Sequence, residues 1–137
     1  MTETCLQVRL GGERYAIPAD RVLEVAELGD LTIVPGAPVA LSGICNLRGT
    51  ILPVIDLATI LRIARTEQNQ AIIVTRYEHA LVGLAVSSVI GVDELPPTSE
   101  PTHSPHLRGA VLLDGALIGV VAVDSVVESV VGEPARA

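Results

Sequence analysis

The apolar positions of this chain fall in short runs, separated by glycine, proline or charged pairs. Leu6 to Leu10, the turn Gly11-Gly12-Glu13-Arg14 and Tyr15 to Ile17 read as a hairpin, because glycine supplies the positive φ of a tight turn. From Pro18 to Val25, the spacing of Val22, Leu23 and Val25 after Asp20 predicts a helical turn, with Pro18 tolerated near its start. Leu31 to Val34 reads as a strand closed by Pro35 and Pro38. Val39 to Leu47 and Thr50 to Ile55 flank Arg48-Gly49 as a second hairpin. Asp56 to Ile63 carries Leu57, Ile60 and Leu61 at helical spacing, with Asp56 as N-cap.

The second half repeats the sequence of events. Ala71 to Thr75 and Leu81 to Val86 are strands around a turn at Glu78 to Ala80, where His79 lies at the tip. Ser87 to Gly91 resembles the earlier helical turn. Glu94 to Pro105 holds four prolines and reads as a loop. Ala110 to Leu113 and Ala116 to Val123 flank Asp114-Gly115. Asp124 then opens a final helix with Val126, Val127, Val130 and Val131 on one stripe, and Gly132 to Ala137 is a fraying tail. A shift of 67 residues lays Val8 on Thr75, Ile17 on Leu84, Val22 on Val89 and Val25 on Val92. A shift of 66 lays Gly43 on Gly109 and Gly49 on Gly115. Asp56 and Asp124 each follow an apolar strand and open a helical stretch. The identities are few, and duplication and chance stand level on sequence alone. Units of about 65 residues lie near the lower limit for a self-sufficient core, so the two halves should share an interface. The expected boundary falls near Arg65 to Gln70, giving units of about 6–66 and 70–131.

Composition narrows the picture. Hydrophobic residues make up 49% of 137 residues, yet there is no Phe or Trp and only Tyr15 and Tyr77. Packing therefore falls to Val, Ile, Leu and Ala, and the stiff β-branched members of that set favour strands. Net charge is −7, and every basic side chain is an arginine. An acidic surface without a basic stripe or stacking aromatics excludes nucleic acid as partner. The N-terminus shows no signal peptide. The longest apolar run, Ala116 to Val123, is far short of the roughly 20 residues that span a bilayer, so no membrane insertion and a cytoplasmic protein are expected. Cys5 and Cys45 read as reduced, buried small hydrophobes.

The stretch Gly43-Ile44-Cys45-Asn46-Leu47-Arg48-Gly49-Thr50-Ile51-Leu52-Pro53-Val54-Ile55-Asp56-Leu57 resembles the signature of CheW-like domains: a glycine, the tetrapeptide NLRG, then an apolar strand ending in Asp-Leu. Upstream, GGERYAIPADRVLEV and TIVPGAP are similar to the family's opening hairpin, short helix and proline link. Downstream, LVGLAVSSVIGVDEL, the polar loop and LRGAVLLDGALIGVVAVDSVV follow in the family's order. Leu107-Arg108-Gly109, an LRG echo, and the short ends depart from the pattern. The resemblance implies a mostly β fold of two small five-stranded β-barrels packed together, with short helical turns, a C-terminal helix and an apolar groove. It implies a scaffold without catalysis or cofactor in bacterial chemotaxis. Its partners would be the cytoplasmic tip of a chemoreceptor (a methyl-accepting chemotaxis protein) and the regulatory domain of the chemotaxis histidine kinase, whose like fold pairs through barrel edges.

Read alone, Arg48 is an exposed turn arginine; the resemblance makes it receptor-facing, with Glu24 as the matching acidic partner. The same resemblance assigns Val22, Val25, Gly43, Asn46, Leu47 and Gly49 to the receptor-binding region. On their own terms Asn46 bonds the turn backbone, Gly43 and Gly49 serve backbone geometry, and Val22 is core, whereas the resemblance implies a place beside the receptor groove. His103 and His106 lack a third metal ligand and read as solvated loop residues. Asp56 and Asp124 read as helix N-caps rather than catalytic carboxylates. No Ser/His/Asp set, phosphate loop or metal cluster is legible. The alternatives are an adaptor of a twitching-motility or other non-flagellar array, and a small β-barrel ligand-binding protein.

Overall fold

Ten strands and two short helices form the fold of the computed structural model, which describes residues 1–64 and 66–132. In chain order they are β1 (Glu3–Leu10), β2 (Glu13–Pro18), β3 (Glu24–Glu27), β4 (Leu41–Leu47), β5 (Thr50–Asp56), α1 (Leu57–Leu61), β6 (Ala71–Tyr77), β7 (Ala80–Val86), β8 (Ser88–Leu95), β9 (Leu107–Leu113), β10 (Ala116–Val121) and α2 (Val123–Val127). A single 3-10 turn, Ala19–Arg21, precedes β3, and α2 continues into a wider π-helical turn, Glu128–Gly132. The mostly β class, with two five-stranded units, is the class expected from the sequence.

The strands form two sheets, ordered β8-β1-β2-β10-β9 and β3-β6-β7-β5-β4. The repeat is visible in their registers. The β1–β2 pair Gln7–Ala16 becomes Val74–Gly83 in β6–β7, each partner 67 residues on. The β4–β5 pair Gly43–Val54 becomes Gly109–Val120 in β9–β10, each partner 66 residues on. The halves are nevertheless not stacked end to end. Glu24 of β3 pairs with Val74 of β6, while Gly91 of β8 pairs with Gln7 of β1. Each hairpin thus recruits three strands from the other half. The expected limits 6–66 and 70–131 therefore do not coincide with the sheets: β1 and β2 belong with β8, β9 and β10.

Three apolar clusters follow from this exchange. Cys5, Ala16, Leu95, Val111, Ile118 and Val120 fill the first sheet, and Cys45, Leu52, Val54, Ile72, Val74 and Ala85 fill the second. The third lies between the sheets, where Leu6, Val8, Leu10 and Ile17 meet Ile55, Ile73, Val82, Leu84 and Val86, with Val123, Val126 and Val127 of α2 closing one side. Central strands are thus buried on both faces. Such strands read as unbroken apolar runs rather than alternation, which is why β7 is Leu-Val-Gly-Leu-Ala-Val. The edges also approach one another. Arg48, between β4 and β5, forms an ion pair with Glu24 of β3, the opposite edge of its sheet. In the other sheet Arg108 of the edge strand β9 pairs with Glu3 of β1, the strand next to the opposite edge.

Several local expectations are corrected. Ser87 to Gly91 is not a helical turn; β8 begins at Ser88 and pairs with β1 throughout. Of the turn expected over Pro18 to Val25, only Ala19–Arg21 is helical, and Glu24 starts a strand. Leu31 to Val34 contributes a single bridge, Thr32 to Ile44, because Pro35 and Gly36 end the extension at once. Asp56 occupies the N-cap position of α1, but its side chain does not cap; it accepts hydrogen bonds from Thr59 Oγ1 (2.6 Å) and Asn69 Nδ2 (3.1 Å) instead. Asp124 lies inside the first turn of α2, whose N-cap is Ala122, and pairs with Arg21 at 2.8 Å. Residues 133–137 of the expected tail, Arg65 at the expected boundary and the side chain of Val131 lie outside the described part. Among the described residues, no helix is long and apolar enough to cross a membrane.

Candidate functional site

The tip of the β4–β5 hairpin is a two-residue turn with positive φ at both positions, +51° at Arg48 and +89° at Gly49. That twist matches the flanking strands, and glycine carries the second position without steric cost. Arg48 takes a conformation that side chains with a Cβ seldom adopt, and it is held there from two sides. Asn46 Oδ1 accepts the Gly49 backbone N–H at 2.7 Å, and Arg48 Nη2 donates to Glu24 Oε2. The hydrogen bond and the charge of Glu24 both hold the Arg48 guanidinium more firmly protonated. Its side chain remains 67% exposed.

Glu24, Asn46, Arg48 and Gly49 are thus brought together at one corner of the second sheet. Val25, on β3, is 43% exposed. Val22 and Leu47 are turned elsewhere: Val22 packs on the cluster shared by both sheets, and Leu47 on the interior of the second. Gly43 sits at the far end of β4 in a bulge, where an added Cβ would lie 2.6 Å from the Thr32 carbonyl oxygen; its role there is backbone approach. Two exposed apolar residues were not among the expected site residues, Leu23 (53%) and Ile51 (60%). Leu23 hides in the sequence as part of a helix-like stripe, and Ile51 as one member of an unbroken strand.

The corner offers an exposed ion pair, and Val25 and Ile51 on the strands that carry it, with Leu23 just before β3, are exposed aliphatic residues. Burial pushes both cysteine thiols up, Cys5 to about 11 with Glu3 adding to it, so neither is a thiolate nucleophile near neutral pH. His106 is not simply a solvated loop residue: its Nδ1 lies 2.8 Å from Ser125 Oγ, which itself donates to the Pro105 carbonyl. Those bonds tie the proline-rich loop to α2.

The family profile described as the CheW-like domain matches residues 4–131. The chain belongs to the CheW-like domain family. Its relatives include the chemotaxis protein CheW of Thermotoga maritima, 33% identical over 91% of this chain and 87% of that protein. Protein FrzA of Myxococcus xanthus is 30% identical over 78% of this chain and 72% of its own length. Among solved structures, the scaffolding protein TtCheW of Thermoanaerobacter tengcongensis superposes with a TM-score of 0.86 at 27% identity, over 97% of this chain and 92% of that one.

Proposed function

We propose that this CheW-like protein is a non-catalytic cytoplasmic adaptor that couples the tip of a chemoreceptor to the regulatory domain of a chemotaxis histidine kinase. The observation that carries this is the near full-length match to chemotaxis CheW proteins and to a scaffolding protein. The receptor would be read at the corner held by Arg48 and Glu24, with Val25 as apolar neighbour and Asn46 and Gly49 fixing the turn. Val22, Leu47 and Gly43 act from behind, by shaping the strands that carry it. An arginine at the rim of an aliphatic patch is a common anchor in protein interfaces. The kinase would use a barrel edge, since edge strands carry unpaired donors and acceptors. A second reading keeps the chemistry and changes the array, to a twitching-motility or other non-flagellar system; the relatives include a protein not named CheW, FrzA, beside the chemotaxis CheW proteins.

The test is Arg48→Glu. The arginine is exposed, so charge reversal buries no charge and the thermal midpoint should stay near that of the parent. The new carboxylate would stand beside Glu24 and repel acidic groups on a receptor. Affinity for a receptor hairpin fragment should drop by roughly tenfold or more, about 1.4 kcal/mol. Unchanged affinity in a folded variant would return Arg48 to the rank of an ordinary turn residue.

A further inference from the structure

The first sheet carries a second polar feature, on the other unit from the Arg48 corner. Arg9 and Arg14 are direct cross-strand partners in the β1–β2 hairpin. Directly opposed residues share a face, with Cβ atoms about 5 Å apart, and like charges so placed destabilise a sheet. The arrangement is the more notable in an acidic chain with nine basic residues. Arg21, Arg48 and Arg108 are each matched to a carboxylate. Arg9 and Arg14 have no such partner among the described residues, although both are half-buried.

Both line one cleft of about 540 Å³, which opens where β2 and β10 diverge; these strands pair only at Tyr15–Gly119 and Ala16–Val120. Thr102 of the proline-rich loop and Leu117 of β10 line it as well. One carboxylate, Glu13, is also present, but its Oε1 accepts the Tyr15 hydroxyl at 2.6 Å. Burial and that carboxylate push the Tyr15 hydroxyl well above its ordinary range, so it adds no charge of its own. Two guanidinium forks remain, and forks match the paired oxygens of a carboxylate or phosphate. The cleft is not wholly polar. Leu117 is 60% exposed, and Leu107, Ala110 and Ala116 line the cleft with it. A free inorganic anion gains nothing from that aliphatic wall; a peptide carboxylate with a leucine beside it uses both.

The geometry points to this cleft as a docking site for an acidic, leucine-flanked segment of a partner protein, gripped by Arg9 and Arg14. The two arginines lower the stability of the free hairpin and are relieved when the carboxylate arrives, an arrangement expected of a binding site rather than of a scaffold element. The inference stands apart from the receptor reading, because the Arg48 corner belongs to the other sheet.

The experiment follows backbone amide signals of the full chain by NMR. The probes are the blocked hexapeptide Gly-Asp-Leu-Asp-Leu-Gly, its Asn-for-Asp counterpart, sodium acetate and inorganic phosphate, all at millimolar concentration. The Asp peptide should shift Arg9, Gly12, Arg14 and Gly119, and the Asn peptide should bind at least tenfold more weakly. Arg9→Gln and Arg14→Gln should each weaken the Asp peptide tenfold or more, with thermal midpoints equal to or above the parent's. Arg48→Glu should bind as the parent does. The proposal is overturned if those four amides do not move, or if both peptides bind alike. It is also overturned if acetate or phosphate alone saturates the same amides as readily, leaving only a small-anion site. A lowered midpoint in both glutamine variants would make the arginines structural and overturn it too.

Discussion

The β4–β5 and β9–β10 hairpins are built on one plan and finished differently. Each has a bulge glycine at its start, Gly43 or Gly109, and a turn with two positive φ values at its end. At the first tip the turn is Arg48-Gly49, tied back to Glu24 and Asn46. At the second it is Asp114-Gly115, and the positions matching Glu24 and Asn46 are Gly91 and Leu112. Backbone geometry has thus been kept where glycine is needed, while side chains were free to diverge. One end became a latched, charged corner and the other an open, aliphatic one. The lesson is that the repeated part of the chain builds the frame, and the unrepeated part sets the chemistry of each tip.

The sharpest way to break this comparison is at the bulges. An alanine Cβ at Gly43 would meet the Thr32 carbonyl oxygen at 2.6 Å, a backbone atom with little freedom, at φ +151°. At Gly109 the nearest atom is the Thr98 Cβ at 3.0 Å. Gly43→Ala should cost about 2–3 kcal/mol in denaturant unfolding, with Gly109→Ala costing less. Equal losses would mean that both bulges are held by φ alone.

The two interiors give a second contrast. In the second sheet Gly83 leaves room for Ile72, whose Cδ1 would lie 2.2 Å from a new Cβ; the matching pair in the first sheet is Ala16 with Cys5. One interior uses a small residue against a large one, the other two of modest size. Gly83→Ala should cost about 1–3 kcal/mol through overpacking, and Ile72→Val in the same chain should restore part of it. A double-mutant cycle showing no coupling between the two positions would refute the complementary-volume reading.

The smallest effect concerns Cys5. Because burial, then Glu3, raises its thiol to about 11, the proton is retained in the fold at pH values where the unfolded chain has lost it. The associated stability is present below about pH 9 and is lost as pH rises toward 11. Mass spectrometry after iodoacetamide treatment at pH 8 should find Cys5 unmodified in the native protein and modified in denaturant. Rapid native labelling would show that the first interior opens.

Much of this was legible in the sequence, for identifiable reasons. All four hairpins announced themselves through turn chemistry, which is local: Gly11-Gly12, Arg48-Gly49, Glu78-His79 and Asp114-Gly115. The Arg48–Glu24 pairing followed from the family resemblance. β8 was missed because a bulge interrupts its alternation. Val89 pairs with Val8 and Gly91 with Gln7, so Ile90 is passed over and the inward parity changes within the strand. β3 was missed because Val22, Leu23 and Val25 satisfy a helical spacing as well as an extended one. Leu23 and Ile51 escaped notice because exposure is decided by which strand lies alongside. The exchange of strands was illegible for the same reason, since partners 29 to 104 residues apart leave no local mark.

That exchange also sets a timetable for synthesis. The β1–β2 hairpin leaves the ribosome first, yet its neighbours β8 and β10 are made last. At 5–20 residues per second the interval to β8 is on the order of ten seconds. Through that interval Cys5 and Ala16, which pack against Leu95, Ile118 and Val120 in the finished fold, have no native surface to cover them. The hairpin therefore waits with that one face bare, while its other face can already close on β5, β6 and β7.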